Sequence, residues 1–333
     1  MRLALVTDAW FPQVNGVVRT LDQVRLELEA LGHDVHVLSP DLFTTIPCPS
    51  YPEIRLTVRP GRRISRLIEA IQPEAIHIAT EGPLGLAVRR WCLRRGHPFT
   101  TSFHTRFPEY IRARLGLPLA LGYAALRRFH RPATGVLVAT ATLHRELERR
   151  GFRNLCPWSR GVDTHLFRPQ EKAFYSNLPR PVFLYVGRVA VEKNLRAFLD
   201  LNLPGSKVVV GDGPQLAELK RAYEGVHFAG AQNGEVLAGH YTSADVFVFP
   251  SRTDTFGLVL LEALACGLPV AAYPVAGPID VIDGANVGML HEDLGVAARN
   301  ALKISPERCR DYALRFSWRA CAEQFLACVE PIR

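Results

Sequence analysis

Short apolar runs alternate with longer amphipathic ones along the first half of the chain. RLALVTD (2–8) has strand length. GVVRTLDQVRLELEALG (16–32) follows, with apolar positions 17, 18, 21, 24, 28 and 31 at helical spacing and Gly32 as a stop. HDVHVLSP (33–40) predicts a strand, ISRLIEAIQP (64–73) a helix, AIHIAT (75–80) a strand, GPLGLAVRRWCLRRG (82–96) a helix and PFTTSFH (98–104) a strand. A helical region at 109–131, the strand GVLVAT (135–140) and the helix TLHRELERRG (142–151) complete the rhythm. Residues 166–181, within a three-proline stretch of mixed polarity, predict a linker. The alternation then restarts, with strands at VFLYVGR (182–188), KVVVGDG (207–213), VHFAGA (226–231), VFVFPS (246–251) and PVAAYP (269–274). Near-continuous apolar strands separated by helices predict parallel sheets covered on both faces, so the expectation is two doubly wound α/β domains, 1–165 and 182–310.

The length of 333 residues suits two such domains. No apolar stretch reaches the roughly 18 residues of a membrane-spanning helix. The N-terminal run breaks at Asp8 and reads as a strand, not a signal peptide. Seven scattered cysteines without CxxC spacing suit a reduced, cytoplasmic setting. Charge changes the picture more. Residues 1–165 carry +9, with no lysine among their cations, and the remainder carries −1. Such a one-sided basic field suits an anionic partner, and an ordinary arginine-rich wet surface is the alternative.

In the second half, three predicted strands end in glycine-rich turns: YVGRVAVEKN (185–194), VVVGDGPQL (208–216) and FPSRTDTFGLVLLEA (249–263). None matches GxGxxG or GxxxxGK[ST], which argues against dinucleotide redox cofactors and P-loop ATPases. Each can still present backbone N–H groups to an anion. Arg188 and Lys193 can neutralise a diphosphate together, or be two surface cations in a loop. Asp254 lies in a polar loop and Glu262 eight residues on, inside an apolar helix closed by Gly267. A buried carboxylate needs partners, which backbone groups or a nucleotide's ribose hydroxyls would supply; a satisfied structural Glu fits as well.

Taken together these motifs resemble the retaining nucleotide-sugar glycosyltransferases of the GT-B fold, family 4 (glycosyltransferase group 1), over residues 1 to about 330. The family's Glu-x7-Glu appears as DTFGLVLLE, with Asp254 at the first acid, one methylene shorter than the usual Glu, and Glu262 at the second. Gly187, Arg188, Lys193 and Asn194 match its diphosphate clamp, and GDGP (Gly211, Gly213) and FAGAQ (228–232) its nucleotide-side loops. RGVDTHLFRP (160–169) matches a linker signature, and FPQVNGVVRTL (11–21) an N-terminal glycine loop that puts Gly16 near the donor phosphates. SFHTRFPEY (102–110) puts His104 near the transferred sugar.

The resemblance implies that Asp254 faces the sugar and that Thr255, Phe256, Gly257, Leu258 and Val259 meet sugar and diphosphate at the helix mouth. Glu262 would hold the ribose, and Arg188 and Lys193 the leaving diphosphate. It implies two domains facing a cleft, a C-terminal helix (311–333) crossing back to the first domain, and neither metal nor cofactor, there being no DxD. The branch it points to holds lipid mannosyltransferases and sulfoquinovosyl-diacylglycerol synthases. The implied donor is GDP-mannose or a UDP-hexose.

Acceptors in this fold bind mainly to the N-terminal domain. Its segments 59–71 and 106–132 mix apolar residues with Arg59, Arg62, Arg63, Arg66, Arg112, Arg114, Arg127, Arg128 and Arg131. Basic amphipathic helices suit an anionic bilayer, so a lipid-type acceptor and a peripheral place on the inner membrane face are expected. A soluble or polysaccharide acceptor and a non-catalytic anion-surface module are the alternatives. No RNA-binding signature supports nucleic acid.

Overall fold

The computed structural model describes the chain except residues 14, 49, 50, 110, 111, 113–115, 283 and 333, and gives residues 51–54 by their backbone alone. The chain divides into two compact units, residues 1–160 with 318–333 and residues 161–317.

The first unit holds a six-stranded parallel sheet in the order β2-β1-β5-β6-β7-β8. The strands are β1 (Arg2–Val6), β2 (Asp34–Leu38), β5 (Ala75–Ile78), β6 (Thr100–Phe103), β7 (Gly135–Val138) and β8 (Leu155–Pro157). After β2 the chain returns to the other side of β1, so the sheet's switch point lies between β1 and β5. β1, β5, β6 and β7 are buried almost throughout, as expected of strands covered on both faces. Val6, Ile78, Val88, Phe99, Phe103, Val138 and Leu147 are among the residues of one core cluster. Burying each such side chain contributes about 1.5–3 kcal/mol.

The helix Gly16–Ala30 buries Val18, Leu21, Val24 and Leu28, matching the period read from the sequence. Two further strands, β3 (Thr45–Cys48) and β4 (Tyr51–Thr57), depart from the expected rhythm and form an antiparallel pair. Of the helical region expected at 109–131, the later part is the helix Leu119–His130, and residues 110, 111 and 113–115 lie outside the described ones.

The second unit repeats the plan as β11-β10-β9-β12-β13-β14, all parallel. Its strands are β9 (Val182–Val186), β10 (Ser206–Val210), β11 (His227–Gly230), β12 (Val246–Phe249), β13 (Val270–Ala272) and β14 (Gly288–Leu290). β9 sits mid-sheet with β10 on one side and β12 on the other, which puts this switch point between β9 and β12. Residues 166–181, expected as a linker, fall inside this unit. Phe167 and Tyr175 are buried, and Arg310 ties residues 164 and 167 to the helix Leu258–Ala265 through the carbonyls of Thr164, Phe167 and Ala265.

The C-terminal stretch, expected as one helix, forms two. Pro306–Ala313 buries Cys309 and Ala313 in the second unit, and Trp318–Cys328 buries Cys321, Ala322 and Phe325 in the first. Two apolar faces serve two different cores, so the chain turns between them.

Candidate active site

Open parallel α/β sheets bind ligands outside the carboxyl ends of their strands, at the switch point. In the second unit that place is built by the loops after β9 and β12, and side chains stitch the two together. Asn194, in the left-handed conformation (φ 56°), donates Nδ2–H to the carbonyl of Pro250 at 3.1 Å. Thr253 Oγ1 donates to the Glu192 carbonyl at 3.3 Å. Lys193 Nζ pairs with Asp254 Oδ1 at 2.5 Å, both side chains largely covered (22% and 17% exposed). Lys193, expected in a diphosphate clamp, has its charge matched by the first acid of the motif.

The other carboxylate oxygen, Asp254 Oδ2, is buried and accepts no hydrogen bond among the described residues. A carboxylate oxygen can only accept, and leaving it unpaired is costly, so the site calls for a donor such as a sugar hydroxyl. Tyr185 lies beneath. Its hydroxyl donates to the Arg188 carbonyl at 2.8 Å, and burial, with the charges of Asp254 and Glu192, pushes the phenol well above its ordinary pKa.

The helix Leu258–Ala265 opens onto the same place. Gly257, its N-cap, has φ 85°, a left-handed position that suits glycine, and no side chain caps the helix. The first N–H groups of such a helix have no intrahelical partner, and its positive dipole end favours an anion. Thr255, Leu258 and Val259 are partly exposed there, whereas Phe256 is buried. Gly277 backs the loop: a Cβ would come within 3.1 Å of the Asp254 carbonyl and 3.2 Å of that of Phe256.

Glu262 lies one turn into this helix, 6% exposed, and Tyr241 donates its hydroxyl to Oε2 at 2.8 Å. Tyr241 escaped the sequence reading. Its signal was a tyrosine in a small-residue helix (AGHYTS), since a buried tyrosine hydroxyl usually finds a partner. Gly211 and Gly213 have packing reasons for being glycine. A Cβ at Gly211 would lie 1.8 Å from the Gly187 carbonyl oxygen, and one at Gly213 2.4 Å from that of Val189. These close approaches let Val189 N–H donate to the Asp212 carbonyl at 2.8 Å and hold the loop of Gly187 and Arg188 in place.

Gly16 and His104 belong to the first unit. Gly16 starts its helix, but Asn15 Oδ1 already accepts from the N–H groups of Val17 and Val18, both at 3.0 Å. His104 follows β6 and belongs to a polar chain. Its Nε2 lies 2.9 Å from Ser102 Oγ, which is 3.0 Å from His77 Nε2, and His77 Nδ1 is 2.9 Å from Thr100 Oγ1. Burial drives His77 down to about 3. It also drives His104 well below its ordinary value, with Arg160, His77 and His130 adding to the effect. His104 is therefore a neutral imidazole near pH 7, able to donate or accept a hydrogen bond but not to serve as an acid.

Asp8, at this unit's switch point, is taken up by structure: it accepts from Thr80 Oγ1 and from the N–H groups of Leu84 and Gly85, capping the helix Pro83–Arg95. Elsewhere on this unit Arg127, Arg128, Arg131 and Arg153 line a surface cavity with His130 and Phe152. Arg89, Arg90 and Arg94 line a groove that shares Arg128. Among the described residues no helix is long and apolar enough to cross a membrane, and no three His, Cys, Asp or Glu side chains are grouped to hold a metal ion.

Two parallel doubly wound units, each with its switch point at the carboxyl ends of central strands, define a GT-B fold. A solved sucrose-phosphate synthase from Thermosynechococcus elongatus superposes with a TM-score of 0.79 at 22% identity, over 98% of this chain and 97% of that one. Residues 14–166 match Glycosyltransferase Family 4, and residues 180–304 match Glycosyl transferases group 1. The chain is 30% identical to a GDP-mannose-dependent alpha-mannosyltransferase of Mycobacterium tuberculosis, over 87% of this chain and 83% of that protein. It is 28% identical to an alpha-monoglucosyldiacylglycerol synthase of Streptococcus pneumoniae, over 92% of this chain and 79% of that protein. The chain belongs to glycosyltransferase family 4.

Proposed function

We propose that the protein transfers a hexose from a nucleoside-diphosphate sugar, GDP-mannose or a UDP-hexose, to a hydroxyl of a membrane-lipid-type acceptor, with retention at the anomeric carbon and without a metal. The observation that carries this reading is the Lys193–Asp254 pair at the β9/β12 switch point, with Asp254 Oδ2 buried and unpaired beside an uncapped helix mouth. A sugar diphosphate complements that arrangement. Its hydroxyls donate to Oδ2, and its phosphates meet Lys193, Arg188 and the N–H groups of Leu258 and Val259. Glu262, fixed by Tyr241, holds the ribose.

As the bond from the anomeric carbon to the phosphate oxygen breaks, negative charge grows on the leaving diphosphate. Fixed cations and helix N–H groups stabilise that charge, the kind of term that dominates many enzymic rate enhancements. The acceptor oxygen bonds to the same face of the sugar, and its proton passes to the departing phosphate oxygen.

The lipid acceptor is supported by the diacylglycerol relative and by the arginine-lined surface of the first unit, which carries the chain's positive excess. The same surface supports docking on the inner face of the membrane. The test is incubation in EDTA with GDP-mannose or a UDP-hexose and mixed micelles of diacylglycerol or phosphatidylinositol, read by mass spectrometry and anomeric proton NMR. A glycolipid with the donor's anomeric configuration is expected. Inverted product, strict dependence on added Mn²⁺ or Mg²⁺, or sugar released only to water would contradict the proposal.

A further inference from the structure

Arg160 is only 4% exposed, yet no carboxylate pairs with it among the described residues. Its hydrogen bonds there run from Nη1 alone, to the carbonyls of Trp158 (2.8 Å) and Ser159 (2.9 Å). Its guanidinium stacks 4.1 Å above the Trp158 ring, and His104 meets the same indole edge-on at 5.6 Å between centroids. Trp158 follows β8 and His104 follows β6, so both groups stand at the carboxyl ends of the first unit's strands, where such sheets take ligands.

A buried cation without a counter-charge is strongly disfavoured, and the nearby side chains do not supply one. His77 and His104 are neutral, and burial pushes the Cys321 thiol up to about 11. Burial lowers Arg160 only to about 10, so it stays charged near pH 7. Two carbonyls and an indole face pre-orient a planar fork whose Nε and Nη2 edge is left for a ligand, a geometry suited to an oxyanion with two acceptor oxygens.

We infer that Arg160 is the receptor for a phosphate-type oxyanion of a substrate. The inference rests on the proposed transferase reading for its two sources of such an anion, the donor's diphosphate and the phosphate ester of a lipid headgroup.

The experiment compares full-length wild type, Arg160→Gln and Arg160→Lys, with Lys193→Ala carrying the lesion of the second unit. Glycerol 3-phosphate probes the headgroup source, and UDP and GDP the donor source, by calorimetric titration at fixed ionic strength. Arg160→Gln should lose about tenfold or more in affinity for one class of probe, and Arg160→Lys should recover part of it. Loss confined to glycerol 3-phosphate assigns the anion to the acceptor; loss confined to the nucleotides assigns it to the donor. Lys193→Ala should weaken the nucleotides alone. A wild type that binds glycerol 3-phosphate through Arg160 but neither nucleotide contradicts the donor reading and leaves the receptor standing. Unchanged affinities in a folded Arg160→Gln overturn the inference, as does a wild type that binds no probe. If Arg160→Gln does not fold, unchanged affinities in Arg160→Lys overturn it equally.

Discussion

Asp254 and Glu262 are two carboxylates of one loop and helix in different surroundings. Asp254 shares its charge with Lys193 and keeps one oxygen unpaired; Glu262 is buried and held by Tyr241. Replacing each should therefore fail differently. Asp254→Asn removes the partner of Lys193 but not the cation, so free GDP or UDP should bind about as well as before while kcat falls. Glu262→Gln should mainly raise KM, because its proposed partner is the ribose. Calorimetry alongside steady-state kinetics checks both; equal losses of nucleotide affinity in the two variants would refute this division. Lys193→Ala and Arg188→Ala should each cut kcat/KM by about 10² or more, since each removes a cation proposed to face the leaving diphosphate.

At the scale of elements, much of the fold was legible because apolar runs of strand length and helices of 3.6 period do not overlap. β1, β6, β7, β9 and β12 all fall where continuous apolar runs predicted them. The β3–β4 pair was not, because TTIPCPSYPEIRLTV is broken by three prolines. Of the site, the motif residues could be named from the sequence, but their pairing could not. Lys193 meeting Asp254 and Tyr241 meeting Glu262 depend on contacts between residues far apart in the chain.

Gly211, expected in a nucleotide-side loop, is also a joint between two loops. Gly211→Ala forces a Cβ to 1.8 Å from a carbonyl oxygen at φ 146°. A loss of about 2–4 kcal/mol is expected from urea unfolding; an unchanged midpoint would remove the packing account.

The buried histidine chain of β5 and β6 gives a second prediction at this scale. His77 binds its proton near pH 3 when folded and near 6.5 when unfolded, so the unfolded state takes up more protons as pH falls. Stability from this group is present above about pH 6.5 and is lost at up to about 1.4 kcal/mol per pH unit below it. His104 acts in the same direction. Urea unfolding between pH 7 and 4.5 should therefore show a shallower acid limb for His77→Asn than for wild type. Parallel limbs would contradict the burial argument.

At the scale of the whole molecule, the charge division is the main feature: +9 before residue 166 and −1 after it. Arg127 and Arg128 face a cavity and a groove rich in arginine. Each cation near an anionic leaflet contributes about 1 kcal/mol, screened by salt. Arg127→Glu with Arg128→Glu should release the protein from phosphatidylglycerol vesicles in a sedimentation assay, high salt should mimic the change, and nucleotide binding should stay the same. Equal, salt-insensitive recovery on neutral and anionic vesicles would favour a soluble acceptor.

The central claim is that the loops after β9 and β12 hold a nucleoside diphosphate without a metal. Calorimetric titration of GDP and UDP into wild type and Lys193→Ala, in EDTA, tests it most directly. At least one nucleotide should bind wild type at one site per chain, and Lys193→Ala should weaken it about tenfold or more. Binding of neither nucleotide, or equal binding by wild type and variant, would contradict the claim.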